Sequence, residues 1–233
     1  MGRPLNTYER ALVKLEQKIL DLGDFVATQV DRALAALKSQ DIAGARQVVE
    51  EDDFVDDLAH SIEMTSLDLI SLQQPCGADL RLLATVMWVS RELERIGDNA
   101  VNIAETAERL ANLGPYFKPL VDIPHMSKLA RDMLCQSLTA LLDRDQEAAR
   151  EVAAADDAVD YLFETLYTEL VGYMKKSPDY VDQASYLALV ARYLERIADH
   201  AVNLAELVIY RETGERRPFK GQQGPHKTRK DIT

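Results

Sequence analysis

Pairs of carboxylates spaced four residues apart recur along this chain, and their chemistry suits cation binding. On a helix, residues four apart lie on one face, about 40° from each other, so each pair would present its two carboxylates together. Carboxylate and amide oxygens are good ligands for hard cations, and thiolates are not needed. If the pattern reflects metal binding, the candidate ligands form two sets, one in each half of the chain: Asp52, Asp56, Glu94, Asp98 and Asn102, then Asp156, Asp160, Glu195, Asp199 and Asn203.

The two sets belong to an internal repeat. The segment Leu93-Glu-Arg-Ile-Gly-Asp-Asn-Ala-Val-Asn-Ile-Ala-Glu105 returns as Leu194-Glu-Arg-Ile-Ala-Asp-His-Ala-Val-Asn-Leu-Ala-Glu206, with ten of thirteen positions identical. Upstream in each half, Asp52-Asp-Phe-Val-Asp-Asp-Leu58 matches Asp156-Asp-Ala-Val-Asp-Tyr-Leu162. The same order in both halves indicates a duplicated structural unit of roughly a hundred residues.

The repulsion within each acidic pair requires an explanation. Like charges four residues apart destabilise an isolated helix by about 0.2–0.5 kcal/mol per pair. A bound cation would offset this cost. Ion pairing on a solvated face would also do so, at about 0–1 kcal/mol per exposed pair. The spacing leaves both explanations open, and the candidate ion-pair partners are Arg91, Arg95, Arg192 and Arg196.

The sequence carries none of the common catalytic or nucleotide-binding motifs. A ferritin-like di-iron bundle needs a Glu-x-x-His motif on two helices, and the nearest match is Asp57-Leu-Ala-His60. His200 follows Asp199 and could be a ligand or a donor to one, although its first-half counterpart is Asn99. The chain carries no phosphate loop, nucleophile elbow or dinucleotide fingerprint.

Long helices must position these residues. Apolar side chains recur three and four residues apart, while glycine and proline are scarce and clustered. In the first half we expect helices over about 12–37, 42–72 and 79–113, with Asp41 as the N-cap of the second. No segment alternates with a period of two, so no sheet is expected.

The second half repeats this plan. Asp143 or Asp145 is expected to cap its middle helix, and Gly214 to end its last one. The proline of Ser177-Pro178-Asp179 suits the first position of that last helix. The expected helices cover about 126–142, 146–176 and 178–213.

The predicted fold is all-α, with two tandem and similar three-helix bundles packed side by side, six long antiparallel helices in total. The tail is rich in lysine, arginine, glycine and proline, a composition typical of disorder. The predicted parts are a first repeat over 5–114, a linker over 115–125, a second repeat over 126–213 and a basic, disordered tail over 214–233.

Composition narrows the functional classes. The formal net charge of −12 argues against nucleic-acid binding, which depends on neutralising phosphates with lysine and arginine. The two cysteines, Cys76 and Cys135, form no Cys-x-x-Cys pair and suit a reducing cytosol. Neither a signal peptide nor a membrane-spanning run is expected. We therefore expect a cytoplasmic protein that reaches a membrane only through partners.

The chain resembles the PhoU family, cytoplasmic accessory regulators of phosphate uptake. The resemblance rests on the doubled Leu-Glu-Arg-Ile-x-Asp motif, on Gln73-Gln-Pro75 and Asp79-Leu-Arg81, and on the acidic pairs. It covers about residues 5–212 and implies two similar three-helix bundles. It also implies metal clusters held by the acidic motifs, with iron, zinc, magnesium or manganese as candidate metals.

The resemblance further implies a function and partners. Family members restrain the phosphate-starvation response by relaying the state of a phosphate-specific ABC transporter to a phosphate-sensing histidine kinase. The implied partners are the ATPase subunit of the transporter and the kinase, with a homodimer as the expected assembly, and the protein is not expected to be an enzyme. This chain departs from the family pattern at Asn99, where histidine is more usual, and in lacking second copies of Gln-Gln-Pro and Asp-Leu-Arg.

Two other functions compete with the metal-binding regulator. One is an enzyme with a carboxylate-bridged metal pair on a helical bundle, against which the missing histidines count. The other is a metal-free adaptor for another transporter, whose acidic faces contact a partner directly.

Overall fold

A computed structural model describes residues 6–216, 218 and 219, and within this part of the chain every regular element is a helix. Seven α-helices follow one another along the chain, with a 3₁₀ turn at Pro178–Tyr180 before the last. Their bounds are Thr7–Ser39 (α1), Ile42–Glu50 (α2), Asp52–Gln73 (α3), Ala78–Ala111 (α4), Asp122–Asp143 (α5), Gln146–Lys176 (α6) and Val181–Thr213 (α7). The all-α prediction is confirmed.

The helices form two units that meet along the last helix of each, α4 and α7. In the first unit α1, α2 and α3 pack on α4, and in the second α5 and α6 pack on α7. The helices α4 and α7 also pack extensively on each other, so they form the centre of the molecule. Each repeat therefore presents its Leu-Glu-Arg-Ile-x-Asp motif from a central helix.

Side-chain caps begin the helices where the sequence places them. Asp41 accepts a hydrogen bond from the backbone N–H of Gly44, and Asp145 accepts from those of Glu147 and Ala148. Gly214 ends α7 with a φ of 76°, the left-handed conformation that glycine adopts without strain. The aspartate side chains satisfy N–H groups that the first turn of a helix leaves without partners.

The second helix of the first half differs from its prediction, because it is interrupted at Glu51. This residue has φ −87° and ψ −1°, a conformation that ends α2 and starts α3. Arg32 of α1 pairs with the Glu51 carboxylate at 2.5 Å and ties the break to the first helix. The equivalent α6 runs unbroken from Gln146 to Lys176.

The linker between repeats is shorter than 115–125, because α5 already begins at Asp122. Pro124 fits within its first turn, where a missing N–H leaves no helical hydrogen bond unmade. The linker is held by both repeats: the Tyr116 hydroxyl donates to the Leu37 carbonyl at 2.6 Å, and the backbone N–H of Phe117 donates to Gln183 Oε1 at 3.1 Å. These bonds fix the connection between the bundles.

The tail is described only in part. Arg216 and Phe219 contact the helices, which differs from the disorder expected there. Residues 217 and 220–233, on which the rest of that prediction falls, lie outside the described residues.

The core of each repeat contains an equivalent leucine. Leu93 and Leu194 are both 0% exposed. We expect Leu93→Ala and Leu194→Ala each to lower the free energy of unfolding by about 2–5 kcal/mol, through lost burial and a residual cavity. Urea denaturation of each variant measures this. Val121→Ala, at a position 70% exposed, serves as the control and should stay within about 0.5 kcal/mol. A large cost in only one repeat would contradict equivalent cores.

Candidate functional site

The first-half cluster consists of Asp52 and Asp56 on α3 with Glu94 and Asp98 on α4. Burial, followed by the charge of Asp56 and then those of the other carboxylates, raises the pKa of Asp52 to about 6. Burial and Asp56 also raise the pKa of Glu94 and of Asp98. The carboxylates of α3 and α4 raise each other's pKa because they lie near one another across the contact between these two helices.

The second-half cluster consists of Asp156 and Asp160 on α6 with Glu195 and Asp199 on α7, and it is more enclosed. Asp156 is 8% exposed, whereas its counterpart Asp52 is only half-buried. Burial, then the charges of Asp160, Asp199 and Glu195, raises the pKa of Asp156 to about 7. Burial and Asp199 raise the pKa of Glu195 to about 7 against the opposing effect of Arg192. Ionised carboxylates are therefore less stable here than in the first-half cluster.

Buried oxygens without hydrogen-bond partners occur at equivalent positions in both clusters. Asp52 Oδ1 and Asp156 Oδ1 each lack a partner, as does Glu195 Oε2. A buried polar atom without a partner is costly, typically by about 1–3 kcal/mol. A cation bound among the carboxylates would supply that partner and relieve the repulsion, so the donor atoms fit a hard metal ion.

Two observations count against a preformed metal site. Among the residues described, no three aspartate, glutamate, histidine or cysteine side chains are already grouped closely enough to hold a metal. Arg192 pairs with Glu195, whose other oxygen is the one without a partner. Of the eight cluster carboxylates within the described part of the chain, Glu195 alone pairs with an arginine. Ion pairing thus explains one of the eight, and metal binding would require the side chains to draw together.

The two candidate amide ligands, Asn102 and Asn203, each donate a hydrogen bond through the side-chain nitrogen. Asn102 Nδ2 donates to the backbone carbonyl of Asp98 at 2.7 Å, within its own helix. Asn203 Nδ2 instead donates across to Glu92 of α4 at 2.9 Å. In both residues the amide oxygen is the atom that a cation could use.

A cross-repeat network of Glu92, His200 and Asn203 was not foreseen from the sequence. Glu92 Oε2 lies 2.7 Å from His200 Nδ1 as well as 2.9 Å from Asn203 Nδ2. Burial acts to raise the pKa of Glu92, but the bonds to His200 and Asn203 outweigh it and leave the pKa lowered. One carboxylate of the first repeat therefore holds two α7 residues that flank the second-half cluster.

The repeat itself carries a signal for this network. Glu92 corresponds to Tyr193, and His200 to Asn99, so both partners sit where the two copies differ. Asn99 turns back onto its own helix, its Nδ2 donating to the Arg95 carbonyl at 2.6 Å. Paired departures from an otherwise faithful repeat indicate a contact that only one copy can make.

Comparison with known proteins matches this doubled arrangement to one family. The PhoU domain model matches the chain twice, over residues 19–107 and 123–208. The chain belongs to the PhoU family.

Curated PhoU relatives align over most of their length. The homologue from Clostridium acetobutylicum is 35% identical over 208 residues, covering 89% of this chain and 94% of that protein. The homologue from Aquifex aeolicus is 37% identical over 206 residues, covering 88% and 93%. Both are named phosphate-specific transport system accessory protein PhoU homologues, a name that describes an accessory protein rather than an enzyme.

Solved PhoU structures share the fold. The crystal structure of PhoU from Pseudomonas aeruginosa has a TM-score of 0.86 at 33% identity, covering 90% of this chain and all (100%) of that one. The phosphate transport system regulatory protein PhoU from Streptococcus pneumoniae has a TM-score of 0.83 at 29% identity, covering 91% and 99%. In the described part of the present PhoU chain, no helix is both long and apolar enough to span a bilayer.

Proposed function

We propose that this PhoU protein is a metal-binding negative regulator that links a phosphate-specific ABC transporter to a phosphate-sensing histidine kinase. Family membership supports the connection to phosphate transport. The observation that carries the metal part is the buried, unpartnered Asp156 Oδ1 among four carboxylates, with Asp52 Oδ1 unpartnered at the equivalent position. The family name supports only the connection to phosphate transport. Restraint of the starvation response and contact with the kinase are further parts of the proposal.

The proposed ligands are the carboxylates of the two clusters, with the amide oxygens of Asn102 and Asn203. When bound, iron, zinc, magnesium or manganese would supply positive charge that neutralises the carboxylates. The acidic pairs are carried by helices that pack on each other, α3 on α4 and α6 on α7. Asn203 keeps its orientation through its bond to Glu92. The role is structural and electrostatic, without a catalytic step.

A metal-free adaptor is the second candidate. The pairing of Arg192 with Glu195 supports it, as does the lack of a preformed group of three ligands among the described residues. In this case the acidic faces would contact a basic surface of the partner through charge complementarity. The carboxylate-bridged enzyme has no comparable observation in its favour.

The proposed partners are the ATPase subunit of the transporter and the sensory region of the kinase. A chain with a formal charge of −12 and long helices suits docking to basic or helical surfaces in the cytoplasm. We propose a homodimer as the working assembly, and contact with the membrane only through these partners.

A deletion strain tests the regulatory proposal. Removing the gene is expected to derepress phosphate-scavenging genes in ample phosphate, and the intact gene is expected to restore repression. Transcript levels under phosphate excess measure both. Normal repression in the deletion strain would contradict the proposal.

Complementation and elemental analysis together test the two candidates. The variant with alanine at Glu94, Asp98, Glu195 and Asp199 should fail to restore repression if a bound cation is needed. Elemental analysis of the intact, untagged protein then separates the candidates, because bound metal supports the first and its absence favours the metal-free adaptor. Restored repression by this variant would contradict both candidates, since each depends on the acidic clusters.

A further inference from the structure

The described segment after α7 returns along the seam between α4 and α7. The Arg216 guanidinium carbon lies 5.0 Å from the centre of the Trp88 ring. The backbone N–H of Phe219 donates to Glu206 Oε1 at 2.9 Å, and the Phe219 side chain packs on the core. A cation–π contact, a charge-assisted hydrogen bond and an apolar contact therefore hold this segment.

The surface beneath it is a groove formed by Trp88, Glu206 and Tyr210, here called the docking groove. The Trp88 and Tyr210 rings meet edge to face, 5.1 Å between centres. Glu206 is 6% exposed, and burial raises the pKa of its carboxyl group against the opposing effects of the Phe219 N–H and Arg216. The groove thus combines an aromatic face that attracts a cation with a buried carboxylate that needs a donor.

The segment that fills the groove is an addition to the helical body. The second family-domain match ends at residue 208, before α7 ends. Arg216 and Pro218 are exposed and Phe219 is only half-buried, so most of the surface of this segment remains in contact with solvent. The segment therefore contacts the helical body in the manner of a tethered peptide.

We propose that the docking groove recognises a peptide segment with an arginine followed three residues later by an aromatic residue. The chain's own segment, with Arg216 and Phe219, occupies the groove and competes with a partner segment of the same chemistry. The tail therefore masks an interaction surface until such a partner displaces it. This inference does not depend on the clusters binding metal.

A labelled peptide that copies residues 213–220 tests the proposal by fluorescence anisotropy. The full chain carrying Arg216→Ala with Phe219→Ala is expected to bind it. The unaltered chain should bind at least about tenfold more weakly, because the tethered copy competes at an effective concentration in the millimolar range. A peptide with the same two residues replaced by alanine is the matched control and should not bind.

Three results would overturn the proposal. One is no binding to the variant chain, and another is equal binding to both chains, which would place the peptide elsewhere. The third is equal binding of the control peptide, which would indicate general attraction to an acidic protein.

The single tryptophan provides an independent readout. Losing Arg216 and Phe219 should shift the emission of Trp88 to longer wavelength as water reaches the ring, and adding the copied peptide should reverse the shift. Lys176→Ala is the control, because it removes a cation–π contact with Tyr173, 4.6 Å from Nζ to the ring centre. It should leave the emission unchanged. Unchanged emission in the double variant would contradict docking over Trp88.

Discussion

Adding a divalent metal is expected to raise the melting temperature of the intact chain by about 5–10 °C, and Asp160→Asn with Asp199→Asn is expected to remove most of this response. A ligand at one hundred times its Kd stabilises the folded state by about 2.7 kcal/mol. In a chain of this length each kcal/mol moves the melting temperature by about 2–4 °C. Thermal scans with manganese, zinc, magnesium and ferrous iron under exclusion of oxygen measure the shift.

Two variants sharpen this experiment. Asp56→Asn with Asp98→Asn removes the exposed carboxylates of the first-half cluster, so we expect it to reduce the shift less. Asp143→Asn with Asp182→Asn matches the change in charge at exposed positions outside both clusters and should preserve the shift. An equal response in all variants would place any bound metal away from the carboxylate clusters.

Asp156→Asn is expected to stabilise the metal-free protein by about 2 kcal/mol at pH 8. The folded pKa of Asp156 is about 7, against an ordinary value of 3.8. Between about pH 4 and pH 7 the folded state therefore binds more protons than the unfolded chain, and stability falls as pH rises through this window. The variant removes a buried charge at high pH, although its buried amide lowers the gain.

Urea denaturation between pH 4 and pH 8, in the presence of a chelator, measures this effect. The intact chain should become more stable on acidification, and the variant should show a flatter profile and little advantage at pH 4. Asp182→Asn, at an exposed position outside both clusters, is the control and should leave the profile nearly unchanged. A chain that loses stability from pH 8 to pH 5 would contradict the raised pKa.

The helices and caps were predictable because local rules determine them. Asp41 and Asp145 cap helices as expected, since the preference of aspartate for an N-cap depends on neighbouring backbone N–H groups. The break at Glu51 was not predictable, because the apolar spacing continues across it and its fixing contact comes from Arg32, nineteen residues away.

The candidate clusters were predictable from the repeat, but their inequality was not. The spacing places Asp52 and Asp156 at equivalent positions, yet their burial depends on how α3 and α6 pack, which the motif does not encode. Glu92 lies outside the repeated motif, and its partners on α7 are more than one hundred residues away, at 108 and 111. The difference from Tyr193 at the equivalent position marks Glu92 in the sequence, but only the three-dimensional arrangement identifies its partners.

The seam between α4 and α7 has the form of a dimer contact joined into a single polypeptide. Residues 7–111 on their own would leave one flank of α4 bare, and pairing with an identical half-length chain would be the simplest way to cover it. In such a twofold pair Glu92 would face Asn99 and Asn102 instead of His200 and Asn203. In a single chain the two copies can differ, and the carboxylate–imidazole pair across the seam is a contact that a symmetric pair of this half could not make.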